Sequence, residues 1–487
     1  METFKNLEPQ HVWDIFGEIT QVPRPSKKEE KIIRWLLDFA KKHKLKAKKD
    51  EAGNVLITAP ASPGMEKKKT VVLQSHVDMV CEKEPELKIN FEKDPIIPVV
   101  DGEWVKAKGT TLGADDGIGM AAALAILIDS RIRRGPVEAL FTVDEETGLT
   151  GAFALKPGFI NGNILINLDS EDEGEIFIGC AGGKDTVATF KYNAKKAPKG
   201  HIAQTISISG LRGGHSGDDI HRGYGNSNKI LNRFLWTSAN KYDIRISHID
   251  GGNLRNAIPR DATATILVPA GKINKLEKYF ETFEKEIKAE FAVTEPNLTL
   301  TIKDADISDT VIDNNCQFAL LNSLYACPHG VIAMSMDMPG MVETSTNLAS
   351  VKMDGKGKII VTTSQRSSVE SAKTDIVNMV SSVFILAGAK VKNGEGYPGW
   401  KPNVKSEILK IAKARYVHLF GKEPVVRAIH AGLECGLFLE KYPELDMISI
   451  GPTLRGVHSP AERLEIATVK MFWDHLTDIL KNIPNEK

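Results

Sequence analysis

Two hydrophobic textures alternate along the chain, and the change between them marks its organisation. The segment KIIRWLLDFAKKH, Lys31 to His43, spaces its apolar residues at helical intervals and gathers basic residues near its end. That is the pattern of an amphipathic helix laid on a core. Ser26 and Glu29, just before it, stand at capping-box spacing, which predicts Ser26 as N-cap with Glu29 reaching back to its amide. Four short apolar runs follow: NVLIT, TVVLQSHVDMV, VEALFTVDEE and NILINLDSE. Nearly unbroken apolar stretches of this length suit strands buried on both faces. Between the second and third lies GADDGIGMAAALAILIDSRI, an Ala-rich helix. Strand, helix and strand in that order predict a parallel sheet with crossover helices, hence an α/β fold.

From about Gly182 the texture changes. TISISGLRGG alternates like a half-exposed strand, NKILNRFLWTSAN reads as a helix, YDIRISHID and ATATILVPA as strands, and KLEKYFETFEKEIKAEF as a second helix. Gly252-Asn253-Leu254 is echoed by Thr346-Asn347-Leu348, before the strand-like GKIIVTTSQRSS and the helix-like DIVNMVSSVFILAG. The echo predicts two copies of an α+β unit. After the turn-rich GEGYPGWKP, a helix, a short strand (MISIGPT) and a closing helix complete the chain. The expected organisation is one domain of residues 1–181 and 399–487, with a mostly parallel central sheet flanked by helices, interrupted by an inserted α+β domain over 182–398.

Composition narrows the class without changing the architecture. A length of 487 residues exceeds one ordinary core, in keeping with two domains. Hydrophobic content of 42% with 26% charged residues is that of a soluble globular protein. Lys+Arg and Asp+Glu both number 63, so no net field favours nucleic acid or an anionic membrane as partner. Cys81, Cys180, Cys316, Cys327 and Cys435 are odd in number and contain no CxxC pair, which indicates neither a disulfide framework nor a cysteine metal site. The start METFKNLEPQHVW lacks the features of a signal peptide, and no apolar run is long enough to span a bilayer. The expected compartment is the cytoplasm.

The ionisable residues fall at telling places. His76 and Asp78 follow VVLQS at alternate positions, so in an extended segment their side chains point the same way. Asp115 and Asp116 sit where a Gly-rich loop enters the Ala-rich helix; Asp144, Glu145 and Glu146 end EALFTV; Asp169 ends ILINL. In parallel α/β sheets the carboxyl ends of the strands form the ligand-binding edge. So many carboxylates together repel one another unless cations sit among them. Two divalent metals with mixed His and carboxylate ligands would resolve this, the set suiting zinc, manganese or cobalt. Such a pair would polarise a carbonyl and acidify a shared water, and the Glu145-Glu146 pair offers one ligand and one general base. Taken singly, Asp115-Asp116 also fits an N-cap pair, and Asp169 to Glu175 an acidic surface turn.

These residues lie within motifs that resemble the di-zinc peptidase family containing carnosinase, peptidase T, acetylornithine deacetylase and carboxypeptidase G, and most of all its bacterial cytosolic dipeptidases. The segments that carry the likeness are QSHVDMV, KAKGTTLGADDGIGMA, DEETGLTGAF, LINLDSEDEGEI, GCAGG, LRGGHSG, LRNAIPR, YPGW, HAGLECG and SIGPTLRGVHSP. They run nearly the whole length, and their order and number make the resemblance specific. It implies His76 as ligand of one metal, with Asp78 orienting its ring. It implies Asp115 as the bridge, Glu145 as general base, Glu146 as ligand of the other metal, and Asp169 completing the site of the metal held by His76. His458 would complete the site of the metal held by Glu146; nothing but the resemblance brings it there. Aspartate rather than glutamate at position 169 leans, within this family, toward peptides with a free amino end.

The inserted domain resembles the family's lid. His215 would polarise the substrate carbonyl or stabilise the oxyanion, acting in its own subunit's site or in a partner's. Asn256 and Arg366 are candidates to hold the substrate's terminal carboxylate, although Asn256 also fits a turn before Pro259 and Arg366 a surface cation. Glu434 is a candidate for the substrate ammonium group, or equally a structural acid at a helix start. Cys435 beside it reads as a buried small hydrophobe. The expected function is metal-dependent hydrolysis of dipeptides of broad specificity, including those ending in histidine. The expected cofactors are two divalent ions, zinc foremost, and the expected partner is a second copy joined through the lid. The rivals are removal of an acyl group from N-acyl amino acids, tripeptide cleavage at the same site, or a non-catalytic binding or assembly protein on this scaffold.

Overall fold

The computed structural model describes residues 2–486 and divides them into two compact units. The first runs to Gly179 and takes up again at Pro402–Ala428 and from Leu433 onward; the second comprises Cys180–Lys401 and Ile429–Gly432.

The first unit is built on an eight-stranded sheet in the order Lys46–Lys49, Val55–Ala59, Val137–Thr142, Val71–His76, Ile164–Asn167, Asp446–Ser449, Glu175–Cys180, Val425–Ile429. Its middle four strands are parallel, because Val71–His76 pairs in parallel with both neighbours and Asp446–Ser449 does so with Ile164–Asn167. Val55–Ala59 and Lys46–Lys49 extend it antiparallel. Every residue of Val71–His76, Val137–Thr142 and Ile164–Asn167 is buried, which is why their sequences read as continuous apolar runs rather than alternating ones. The Ala-rich helix Ala114–Ile128 is buried along nearly its whole length, where small side chains allow close approach to the sheet.

The second unit carries a nine-stranded antiparallel sheet with a repeated plan. One half runs strand His201–Ser209, helix Ser227–Tyr242, strands Arg245–Gly251 and Ala262–Pro269, helix Ile273–Glu290, strand Thr299–Asp304. The other runs strand Gly182–Lys191, helix Asn314–Ala326, strands Val342–Met353 and Lys358–Ser367, helix Glu370–Leu386, strand Lys390–Asn393. The halves meet where Arg245–Gly251 pairs with Val342–Met353. Phe234, Phe280, Phe283 and Phe384 fill the core between the helices and the sheet. The tripeptide echo does not mark equivalent places in the two halves. Asn253 and Leu254 lie in the loop after one strand, whereas Asn347 and Leu348 lie inside the corresponding one.

The capping box is also corrected. The helix Glu30–Lys42 has no side-chain N-cap; Ser26 Oγ instead donates to Asp78 Oδ2 at 2.8 Å. Glu29 Oε1 accepts from the Lys27 and Asp144 amides at 2.7 and 3.2 Å. The serine side chain is turned toward Asp78, where its hydroxyl makes a charge-assisted bond, and so lies away from the helix amides.

Candidate metal centre

Register sets the geometry of the site. His76 pairs with Thr142 and Gln74 with Asn167 across the parallel strands, so Asp169, two residues past Asn167, comes level with His76. His76 closes its strand. Glu145 and Glu146 open the short helix Glu145–Gly148 after Thr142, and Asp169 follows Asn167. Asp115 comes from the start of Ala114–Ile128, where Asp115 and Asp116 depart from helical torsions and are joined by a cis peptide bond. Asp116 Oδ1 accepts from the Gly119 amide at 3.2 Å and so caps the regular helix. The N-cap reading therefore holds for Asp116, while Asp115 faces the site.

Asp115 lies between two groups of donors. Its Oδ1 is 2.9 Å from His76 Nε2, and its Oδ2 is 3.1 Å from His458 Nε2. His76 Nε2 is also 3.4 Å from Asp169 Oδ1, and His458 Nε2 is 3.0 Å from Glu146 Oε2. Two triads share Asp115: His76, Asp115 and Asp169 on one side, Asp115, Glu146 and His458 on the other, with the ligand atoms of each triad within 4.8 Å of one another. Glu145 groups with His76 and Glu146. Behind His76, Asp78 Oδ1 stands 3.4 Å from Nδ1. The same carboxylate accepts from the Glu145 and Glu146 amides at 3.0 and 3.2 Å, tying two strand ends together. Burial alone would raise Asp78, but the His76 imidazole and these donors outweigh it and hold the carboxyl at about 2.

The donor set fits a pair of divalent cations. Burial pushes Asp169 and Glu145 well above the usual carboxylate range, reinforced in each by neighbouring carboxylates. Hydrogen bonds to Asp115 and Glu146 pull the His458 imidazole up to about 11. A surrounding that favours protonation so strongly carries surplus negative charge, which a metal neutralises better than a proton can. Glu146 Oε1 is buried with no hydrogen-bond partner. Imidazole and carboxylate donors together suit zinc, manganese or cobalt.

Glu434 lies beneath this edge, at the start of the helix Glu434–Lys441 and 2% exposed. Its Oε2 accepts from Gln74 Nε2 at 2.7 Å and Thr142 Oγ1 at 2.8 Å, while Oε1 has no partner. Burial pushes its carboxyl up to about 7. Gln74 Oε1 in turn accepts from Asn167 Nδ2 at 2.6 Å, so a buried polar chain links the strands that carry His76 and Asp169.

The other candidates belong to the second unit. Arg366 is 7% exposed and donates from Nη1 to Tyr397 Oη at 2.9 Å, which excludes the surface-cation reading. Its Nη2 is 3.5 Å from His215 Nε2, and its buried Nε has no partner. His215 Nδ1 is 3.1 Å from Asp218 Oδ2. His430 Nε2 and Ser345 Oγ are 2.7 Å apart, and burial, assisted by Arg366, pushes the His430 imidazole down to about 3. The Tyr397 ring is wedged between glycines: a Cβ at Gly183 or Gly432 would stand 2.7 Å from it. Asn256 does not join this group through its side chain, which is exposed; its backbone carbonyl accepts from the Ser216 amide at 2.8 Å. Sequence reasoning missed Tyr397 and His430, although YPGW and HAGLECG contain them. It assigned Ser26 to a helix cap instead of to Asp78, and it missed Arg24 and Glu462, for which no local pattern gives a signal.

Residues 72–482 match the peptidase family M20/M25/M40. The chain is 44% identical to the cytosol non-specific dipeptidase of Escherichia coli over 484 residues, 99% of this chain and all of that protein. It superposes on the crystal structure of aminoacylhistidine dipeptidase from Vibrio alginolyticus with a TM-score of 0.94 and 43% identity, covering both chains fully. A tripeptidase from Staphylococcus aureus shares the fold, with a TM-score of 0.57 and 16% identity over 98% of this chain and 99% of that one.

Proposed function

Since the chain belongs to the peptidase family M20/M25/M40, we propose that it hydrolyses dipeptides of broad specificity, including those ending in histidine, in the cytoplasm. The observation that carries the reading is the shared Asp115 carboxylate, with one oxygen toward His76 and the other toward His458. His76 and Asp169 would hold one divalent cation, Glu146 and His458 the other, and Asp115 both. Zinc is the first choice, manganese or cobalt the alternatives. When bound, such a pair supplies Lewis acidity to the scissile carbonyl and to the attacking water.

Glu145 is not needed as a ligand in either triad, and its environment favours the protonated carboxyl. It is assigned the general base, taking the water's proton and delivering it to the leaving nitrogen. Asp78 fixes the His76 ring from behind and holds the Glu145 and Glu146 amides. In the second unit, Arg366 is assigned the substrate's terminal carboxylate, and His215 the carbonyl oxygen. The unpartnered Arg366 Nε supports an anionic ligand there. Glu434, with its free buried oxygen, is assigned the ammonium end. Gripping both ends limits the substrate to about two residues. A homodimer through the second unit is part of the same reading. Exposed Phe318, Met336 and Leu386 on that unit support it, and the molecular mass in solution tests it. Among the described residues, no helix is long and apolar enough to cross a membrane.

The test is hydrolysis by chelator-stripped protein reconstituted with zinc. The panel holds free dipeptides including one ending in histidine, a tripeptide and an N-acetyl amino acid. Metal-dependent release of amino acids from the dipeptides alone is expected. Cleavage of the N-acetyl compound alone would replace the reading with a deacylase.

A further inference from the structure

The two histidines that face Asp115 reach it from places far apart in the chain, and each place is tied to the Asp115 loop by one buried charged side chain. Glu462 is the tie on the His458 side. Its carboxylate is 2% exposed and accepts from four successive backbone amides, those of Leu112 at 2.7 Å, Gly113 at 3.1 Å, Ala114 at 2.8 Å and Asp115 at 3.4 Å. Glu462 closes the turn that holds His458, with its own amide bonded to the Ser459 carbonyl. His458 itself has a side chain 51% exposed and a left-handed φ of 61°, so the loop that carries it adds little burial around the ring.

Arg24 is the tie on the His76 side. Its guanidinium is buried and donates to the Val77 and Asp78 carbonyls at 2.9 and 2.7 Å, the residues that directly follow His76. The other arm donates to the Gly113 carbonyl. Gly113 is thus held through its carbonyl by Arg24 and through its amide by Glu462. It has a φ of +68°, and a Cβ there would lie 2.7 Å from Arg24 Nη2. Glycine is required both by the torsion and by the guanidinium's approach.

Resting on the two-cation reading above, we propose that Arg24 and Glu462 are positioning residues, each fixing one ligating imidazole against the shared Asp115 carboxylate and so each governing the affinity of a different cation. Neither touches a ligand's donor atom. Each acts through backbone groups on both sides of the gap that a metal must fit, and an uncorrected shift of a few tenths of an ångström there spoils the coordination distances. The four donors to Glu462 are charge-assisted and buried, hence hard to replace by water.

The experiment is calorimetric zinc titration of chelator-stripped protein in two backgrounds. Asp169→Ala leaves the His458 side as the intact site, and His458→Ala leaves the His76 side. Glu462→Gln is expected to weaken zinc by about 10- to 100-fold in the Asp169→Ala background and to weaken it much less in the His458→Ala background. Arg24→Lys should show the reverse. A role confined to general stability would weaken zinc equally in both backgrounds, and that result overturns the proposal, as does unchanged affinity in both. If Glu462→Gln does not fold, Glu462→Asp keeps the charge on a shorter arm and must show the same selective loss. Failure of both to fold marks Glu462 as a residue of the core and also overturns it. Absence of zinc binding by the unsubstituted protein would instead refute the two-cation reading.

Discussion

The two polar clusters of this molecule are incomplete in opposite senses. In the first unit, Asp115, Glu145, Glu146 and Asp169 crowd around two imidazoles, and Glu146 Oε1 is buried without a partner. In the second, Arg366 donates toward Tyr397 and His215, and Arg366 Nε and His430 Nδ1 are buried without partners. The first cluster needs positive charge and the second needs an anion. Buried groups without partners cost folding free energy, so each cluster is stabilised by what binds it.

The contrast can be broken first at Glu145. Glu145→Gln should lower kcat by about 10²- to 10⁴-fold while the protein still takes up its full complement of zinc. Near-normal turnover in metal-loaded protein would remove Glu145 from the chemistry.

The next effect is on stability and concerns the second cluster alone. His430 is held at about 3 in the fold, by burial and then by Arg366, against 6.5 when exposed. Its imidazole is neutral in the folded protein, so below pH 6.5 the unfolded chain binds the extra proton. Stability from this residue is fully present above pH 6.5 and is lost as the pH falls toward 3, by about 4 kcal/mol. Thermal unfolding of the metal-free protein across that window should show a shallower slope in His430→Asn. An unchanged slope would mean the ring is not sheltered.

Arg366→Ala should raise KM for dipeptides by about 10- to 100-fold, the value of a charge-assisted bond of roughly 1.5–3 kcal/mol, with kcat much less affected. Dipeptide amides, which lack the carboxylate, should not distinguish the variant from the unsubstituted enzyme. If both substrate types lose equally, the carboxylate clamp is misplaced. The smallest change sharpens the same comparison: Tyr397→Phe removes only the oxygen that accepts from Arg366. It should raise KM by about 2- to 10-fold, measured on the same substrates, and no change would mean the glycine-wedged ring orients nothing.

Most of the first unit's candidate site was legible because its ligands follow buried strands. A strand covered on both faces is mostly apolar, so charged residues at or just past its end mark the sheet edge, as His76, Asp144, Glu145 and Asp169 do. Asp115 was legible for a different reason, the Gly-rich entry to an Ala-rich helix. His458 carried no such mark, since it sits in an irregular loop between very short strands. The capping box failed because Ser26 had a better partner, Asp78, 52 residues away. The second unit has the two α+β halves that the echo predicted, but the tripeptides themselves mark no equivalent place, one lying in a loop and the other in a strand. Arg366 was read as either clamp or surface cation, and its burial settled only the second alternative.

By itself, then, the sequence determined what depends on periodicity and on neighbours in the chain. Those features are the α/β class, the central strands, the buried Ala-rich helix, the change of texture near Gly182 and the carboxylates at the strand ends. Apolar spacing records which faces are buried, whatever buries them. Tertiary structure alone decided which charged group meets which. Glu462 reaches the Leu112 amide across 350 residues, and Gln74 reaches Glu434 across 360. A hydrogen bond between groups so distant leaves no period in the sequence, because any acid on the right loop could make it and only packing selects one.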